Sequence, residues 1–198
     1  MKLFWSSRSP FARKVMIVAH ECGLVDAIER IPVPIPAPEP HAELNRANPI
    51  AKLPTLVTNG LVIAGSAVIC EYLDQLAKGG LFPQGQDRWR ALSRQAMADG
   101  MLDMLLLWRA DLRRPEACQS ARQQGIYRTR LTQTLDRFEM EAGQDHAFDI
   151  GELATGLFLS YLDFRFADHD WREGRPSLQR TYVRFEERPS AMATRFDD

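Results

Sequence analysis

A stretch of helix breakers divides the chain into two textures, and that change constrains the fold more than any other feature. It runs Lys78-Gly79-Gly80 and then Leu81-Phe82-Pro83-Gln84-Gly85. Before it, short strand and helix patterns alternate. Lys2 to Trp5 reads as a short buried strand. Pro10 to Cys22 reads as a helix with Val15, Ile17, Val18 and Ala19 on its apolar stripe. Pro10 suits the first turn, where its missing N–H costs nothing, and Gly23 is a stop signal. Ala27 to Ile31 reads as a second strand. The run from Pro32 to Pro40 has proline at every second position, so it is an extended connection, neither central strand nor helix. Asn59-Gly60, between Thr55–Val57 and Leu61–Ile63, is the strongest hairpin signal in the chain. Ser66 to Ala77 reads as a helix with Ser66 as its N-cap.

After the breaker stretch no segment reads as a strand. Helical patterns run from Asp87 to about Arg113, from about Pro115 to Glu141, and from Ile150 to about Phe166. Ile126, Leu131, Leu135 and Phe138 form the apolar side of the second. The third opens with Asp149 as N-cap, Glu152 as its reciprocal partner, and Phe148 with Leu153 as a hydrophobic staple. Leu153 to Leu159 is apolar nearly all round, the pattern of a buried helix. Shorter pieces follow Pro176 and Pro189. The expected domains are residues 1–78 and 86–198.

Charge and length exclude some function classes. The 198 residues suffice for a sizeable core. Twenty-five basic against 26 acidic residues give a net charge of -1, which excludes whole-chain attraction to nucleic acid or an anionic membrane. No apolar stretch reaches the roughly 18 residues of a membrane span, and Ser6 to Pro10 interrupts the apolar start, so a cytoplasmic protein is expected. Cys22, Cys70 and Cys118 match no metal motif and read as reduced thiols. The histidines are scattered, and no metal site is expected.

Three motifs carry a family resemblance. Ser9-Pro10-Phe11-Ala12-Arg13-Lys14-Val15 lies at the first strand-to-helix turn, and Asn48-Pro49-Ile50-Ala51-Lys52-Leu53-Pro54-Thr55-Leu56 precedes the hairpin. Gly65-Ser66-Ala67-Val68-Ile69-Cys70-Glu71-Tyr72-Leu73 opens the next helix. In this order and spacing, and with the capped helix at Asp149, the chain resembles the glutathione S-transferase superfamily, in its bacterial, serine-type form, over nearly its whole length. The resemblance implies an α+β two-domain fold: a thioredoxin-like α/β domain followed by an all-α helical domain that contributes the acceptor pocket. It implies a homodimer and a role in detoxification.

The resemblance also implies site residues. Ser9 is the thiolate-stabilising catalytic residue, with Ser6 and Ser7 as competitors in the same turn. A helix N-terminus favours thiolate over thiol, and a hydroxyl adds a hydrogen bond. Leu53 pairs by its backbone with the cysteinyl part of glutathione, before a cis bond to Pro54. Ser66 holds the γ-glutamyl carboxylate at a helix N-terminus, and Lys52 meets a glutathione carboxylate. Gly65 stands where the family often carries Glu, Asp or Gln, so the γ-glutamyl ammonium loses a side-chain partner. Asp99, with Asp103 one turn on, is the candidate replacement, reaching the site of a second subunit. Trp5, Phe11, Trp108 and Arg109 are acceptor-pocket candidates, and Arg13 reads as solvated or ion-paired.

The implied function is a glutathione transferase: glutathione, as co-substrate and without metal, attacks a small electrophilic apolar substrate. One alternative is a non-catalytic binding or regulatory protein on the same fold. Another is a thiol-disulfide oxidoreductase. That chemistry needs a cysteine where Ser9 stands, and Cys22 falls at the far end of that helix.

Overall fold

The structure, a computed structural model, describes residues 1–35, 39–142 and 147–197; Pro36, Ala37 and Pro38 of the proline run lie outside them. Two compact units are present. One comprises Met1–Phe82 with the segment from Arg188 on, and the other comprises Pro83–Glu187.

The first unit holds β1 (Lys2–Trp5), α1 (Pro10–Glu21), β2 (Glu29–Pro32), α2 (Ala42–Ala47), β3 (Thr55–Thr58), β4 (Leu61–Ala64) and α3 (Ser66–Ala77). Its four-stranded sheet has the order β2-β1-β3-β4. The first two strands are parallel and the other pairings antiparallel. Pro32 is tolerated because β2 is an edge strand. Asn59 and Gly60 take the left-handed conformations, φ 44 and 78, that a tight hairpin needs. Phe4 packs with Val33 and Leu44 on one sheet face. Leu3, its neighbour in β1, faces the other way and is fully buried, as are Val15 and Ile17 of α1 and Ile69 and Leu73 of α3.

Three local readings change. The second strand starts at Glu29 instead of Ala27, because Val25–Ala27 closes a 3₁₀ turn. Helix α2 is an addition: its cap is His41, whose Nδ1 accepts the Leu44 N–H at 3.2 Å. Histidine is not among the strong capping residues, so the start signal is invisible in sequence. Ser66 is the first residue inside α3, and the cap position belongs to Gly65, which offers no side chain.

The second unit is helical: α4 (Gly85–Leu112), α5 (Ala121–Glu141), α6 (Ile150–Arg165) and α7 (Pro176–Glu186). Helix α5 begins later than expected. Residues after Pro115 form a short 3₁₀ turn, and the Ser120 hydroxyl then accepts the Gln123 N–H. Its buried stripe is Tyr127, Leu131, Leu135 and Phe138, while Ile126 is exposed. The spacing of four, four and three keeps Tyr127 on that stripe and turns Ile126 outward. Asp149 caps α6, its Oδ1 accepting the Gly151 and Glu152 N–H groups at 2.8 and 2.9 Å. Residues 153–162 of α6 are all buried. Among the described residues no helix is long and apolar enough to cross a membrane.

The chain end returns to the first unit through α8 (Pro189–Met192). It therefore does not group with the helices, as a boundary at 86–198 would have it. The reason is a set of polar anchors on α1. Arg188 grips the Glu21 carboxylate with Nε at 2.9 Å and Nη2 at 2.7 Å, and the Ser190 hydroxyl donates to the same carboxylate. The Arg188 hydrogen bond holds the Glu21 carboxyl below its ordinary range, against the opposing effect of burial. Arg13 donates to the Ala191 carbonyl at 3.3 Å and stacks 4.5 Å over the Phe196 ring. It is 4% exposed, which corrects the solvated reading.

Two glycines predict opposite outcomes. A Cβ on Gly156 would overlap the Phe185 ring, whereas one on Gly125, inside α5, meets nothing within 4 Å. Gly156→Ala is expected to lower unfolding stability by about 1–3 kcal/mol by overpacking. Gly125→Ala is expected to raise it by about 0.5–1 kcal/mol through helix propensity. Urea denaturation of the two variants checks both signs.

Candidate functional site

Strand register assembles the site. Phe4 pairs with Thr55, and Thr55 pairs with Ala64. The end of β1, the start of β3 and the end of β4 therefore lie at one end of the sheet. Trp5 leads into the turn that opens α1, Leu53-Pro54 leads into β3, and Gly65-Ser66 opens α3. Register thus gathers the three segments that the motifs single out, Ser9, Lys52-Leu53-Pro54 and Gly65-Ser66, into one unit with two helix N-termini among them.

Ser9 caps α1. Its Oγ accepts the Ala12 N–H at 3.2 Å, and its own N–H donates to the Ser6 carbonyl at 3.1 Å. Capping uses an acceptor lone pair and leaves the hydroxyl proton to donate elsewhere. Pro10 has no N–H, so among the described residues the Phe11 N–H is the open donor of this first turn. Ser9 and Ser6 are buried and Ser7 is half-buried; the Ser6 Oγ faces the Arg8 N–H at 3.4 Å.

The loop before β3 is held by two residues that the sequence reading quoted without giving them a role. Asn48 is 5% exposed and donates to Thr55 Oγ1 at 2.9 Å. The Thr55 hydroxyl in turn donates to the Lys52 carbonyl at 2.8 Å, and the Asn48 Oδ1 accepts the Ile50 N–H at 3.3 Å. This clamp fixes the backbone of Lys52-Leu53 and leaves the Lys52 side chain exposed. The Leu53-Pro54 bond is cis, as the resemblance implies.

At α3 the cap residue Gly65 has φ 89 and ψ 128, a conformation open in practice only to glycine. The first-turn N–H groups of α3 receive no side-chain cap. They and the hydroxyl of Ser66, a buried residue, form a donor set suited to a carboxylate.

The remaining candidates are dispersed. Trp5 is half-buried, with the Arg30 guanidinium 5.1 Å over its ring. Phe11 is half-buried, with the Lys14 ammonium 5.9 Å from its ring. Asp99, Trp108 and Arg109 belong to α4 of the second unit. There Trp108 is a core residue, 4% exposed, between Tyr127 and Phe166. Arg109 hydrogen-bonds Tyr161, whose hydroxyl is pushed upward chiefly by burial. Cys22 lies at the far end of α1. Burial first, then the charges of Asp74 and Glu21, raise its thiol to about 11. That is the opposite of a redox nucleophile.

The chain is similar to several known proteins. The model of the glutathione S-transferase N-terminal domain matches residues 8–76. An uncharacterized GST-like protein of Escherichia coli K12, YibF, is 29% identical over 186 residues, 90% of each chain. A glutathione transferase family member from Pseudomonas fluorescens Pf-5, solved with bound glutathione, is 35% identical over 100% of this chain and 99% of that one, with a TM-score of 0.90. Another structure of a family member from that organism holds S-(propanoic acid)-glutathione, at 33% identity over 100% of both chains and a TM-score of 0.87.

Two outcomes follow from this geometry. Asn48→Ala strands the Thr55 hydroxyl cluster and is expected to cost about 1–3 kcal/mol of stability, read by thermal or urea unfolding. At pH 8 the Cys22 thiol is roughly a thousandth thiolate, so iodoacetamide is expected to label exposed Cys118 first. Cys22 should join only as pH rises toward 11. Peptide mass mapping after timed alkylation reads the order.

Proposed function

The chain belongs to the glutathione S-transferase family, and we propose that it acts as a glutathione transferase, activating the glutathione thiol for attack on a small electrophile. The observation that carries this reading is the gathering of two helix N-termini and the Lys52-Leu53-Pro54 loop at one sheet end. On this reading the cysteinyl sulfur lies at the start of α1, where the positive end of the helix dipole, the Phe11 N–H and the Ser9 hydroxyl favour the anion. Leu53 pairs with the cysteinyl backbone. Ser66 and the first turn of α3 take the γ-glutamyl carboxylate, and Lys52 takes another. The glutathione and the S-conjugate held by the Pseudomonas relatives support the ligand class.

The reaction itself needs little from the protein. The sulfur forms a bond to the electrophilic carbon, the leaving group departs with the bonding electrons, and the thiol proton goes to solvent. Thiolate stabilisation and proximity supply the acceleration.

Gly65 favours a second reading, a binding protein without turnover, because the γ-glutamyl ammonium finds no side chain there. In the transferase reading Asp99 of a second copy makes that contact in a homodimer. Room exists for a local partner as well, since a Cβ on Gly65 meets nothing within 4 Å. Gly65→Asp is therefore expected to bind glutathione about tenfold tighter while losing about 1–3 kcal/mol of stability to backbone strain.

Calorimetric titration with reduced glutathione tests the proposal. The unmodified protein is expected to bind in the micromolar to low-millimolar range, about -8 to -4 kcal/mol. Ser66→Ala should weaken binding by about 1–3 kcal/mol. Binding without conjugation of any electrophile would favour the non-catalytic reading. Unchanged affinity in Ser66→Ala would refute the assignment of the carboxylate to α3.

A further inference from the structure

The first unit contains a cleft that the glutathione assignments leave unused. It has a volume of about 380 Å³, and its lining includes Trp5, Met16, Arg13, Arg30 and Arg195 together with Ser6 and Ser7 of the first turn. A cavity of this size suits one substituted aromatic ring. Trp5 and Met16 are its apolar lining residues, and three arginines line it with them. Arg30 projects over the Trp5 ring, and Arg13 is fixed by the Ala191 carbonyl and the Phe196 ring. Neither Arg30 nor Arg195 forms an ion pair among the described residues. Among the described lining residues Arg13, Arg30 and Arg195 stand against the one carboxylate of Asp197.

Strand order decides what the cleft serves. In the order β2-β1-β3-β4 the glutathione-binding loop and α3 lie on the β3–β4 side of β1, while Arg30 lies on β2. The Ser6–Ser9 turn at the end of β1 stands between them. A thiol held at that turn has the glutathione site on one hand and the cationic cleft on the other. We propose that the cleft takes the non-reacting part of the acceptor, and that this part is an aromatic ring bearing a carboxylate. Guanidinium groups match a carboxylate's two oxygens, and an aromatic wall accepts the ring. This rests on the transferase reading for its role as an acceptor subsite, and not for its ability to bind the anion.

Two matched pairs of compounds test it. The unreactive pair, para-methylbenzoate and para-methylbenzamide, measures binding by calorimetry on the full-length protein. The reactive pair, para-(chloromethyl)benzoate and its amide, measures conjugation. In that reaction the glutathione sulfur bonds to the benzylic carbon, chloride leaves with the bonding pair, and the thiol proton passes to solvent. The carboxylate is expected to bind about tenfold tighter than the amide. Arg30→Gln and Arg195→Gln should each remove most of that preference, leaving amide binding and glutathione affinity unchanged. The same preference should appear in kcat/KM for the reactive pair.

Equal binding of benzoate and benzamide would overturn the subsite even if both chloromethyl compounds were conjugated, and the transferase reading would then stand. Weakened glutathione binding in the arginine variants would also overturn it. Arginine-dependent benzoate binding without turnover of either chloromethyl compound would uphold the anion site and defeat the transferase reading instead.

Discussion

The antiparallel seating of β3 between β1 and β4 is the constraint on which the rest depends. Each antiparallel partner of Thr55 is fixed: Phe4 on one side and Ala64 on the other. A slip of one residue would turn Leu56 from the face it shares with Leu3 to the face of Phe4, and exchange the side chains that both buried faces are packed around. Because the register cannot slip, the chain segments just beyond these residues must meet at one end of the sheet. The helices that follow β1 and β4 start there, so their N-terminal donors converge without further design. The Asn48–Thr55–Lys52 clamp then sets the loop entering β3. Strand packing thus creates the site's geometry.

The second dependence is on the chain end. Bidentate pairing of Arg188 with Glu21, and the stacking of Arg13 on Phe196, lay the last segment along α1. These contacts bridge 167 residues of sequence between Glu21 and Arg188. They also complete the cationic cleft, because Arg195 reaches it only from that segment. A polar anchor at the far end of α1 therefore shapes the space next to the Ser6–Ser9 turn.

Local chemistry was legible in sequence, and long-range contact was not. Asn59-Gly60 announced its hairpin because few residues tolerate those backbone angles. Asp149 announced α6 because an acceptor side chain at a helix start has a recognisable pattern. The motifs at Ser9, Leu53-Pro54 and Ser66 were legible as a family resemblance, and the family membership and two-part fold followed from it. By contrast, Ser66 was misread as a cap because the true cap, Gly65, acts through its φ and not its side chain. Ile126 was read onto the buried stripe where Tyr127 stands, because adjacent positions differ only in which one turns inward. The burial of Arg13 and the return of the tail were not legible, because both depend on partners far along the chain. The clamp residues Asn48 and Thr55 sat inside a quoted motif, yet their role appears only when their hydrogen bonds are seen.

The central claim is that the start of α1 holds glutathione as a thiolate. Ultraviolet titration of the thiolate absorbance of bound glutathione against pH, in the unmodified protein and in Ser9→Ala, tests it most directly. The account predicts a thiol pKa well below the roughly 8.5 of a free cysteine thiol, and a return toward that value in Ser9→Ala with little loss of affinity. A bound thiol that titrates like the free one would contradict it. A depressed pKa untouched by Ser9→Ala would move the role to Ser6 or Ser7.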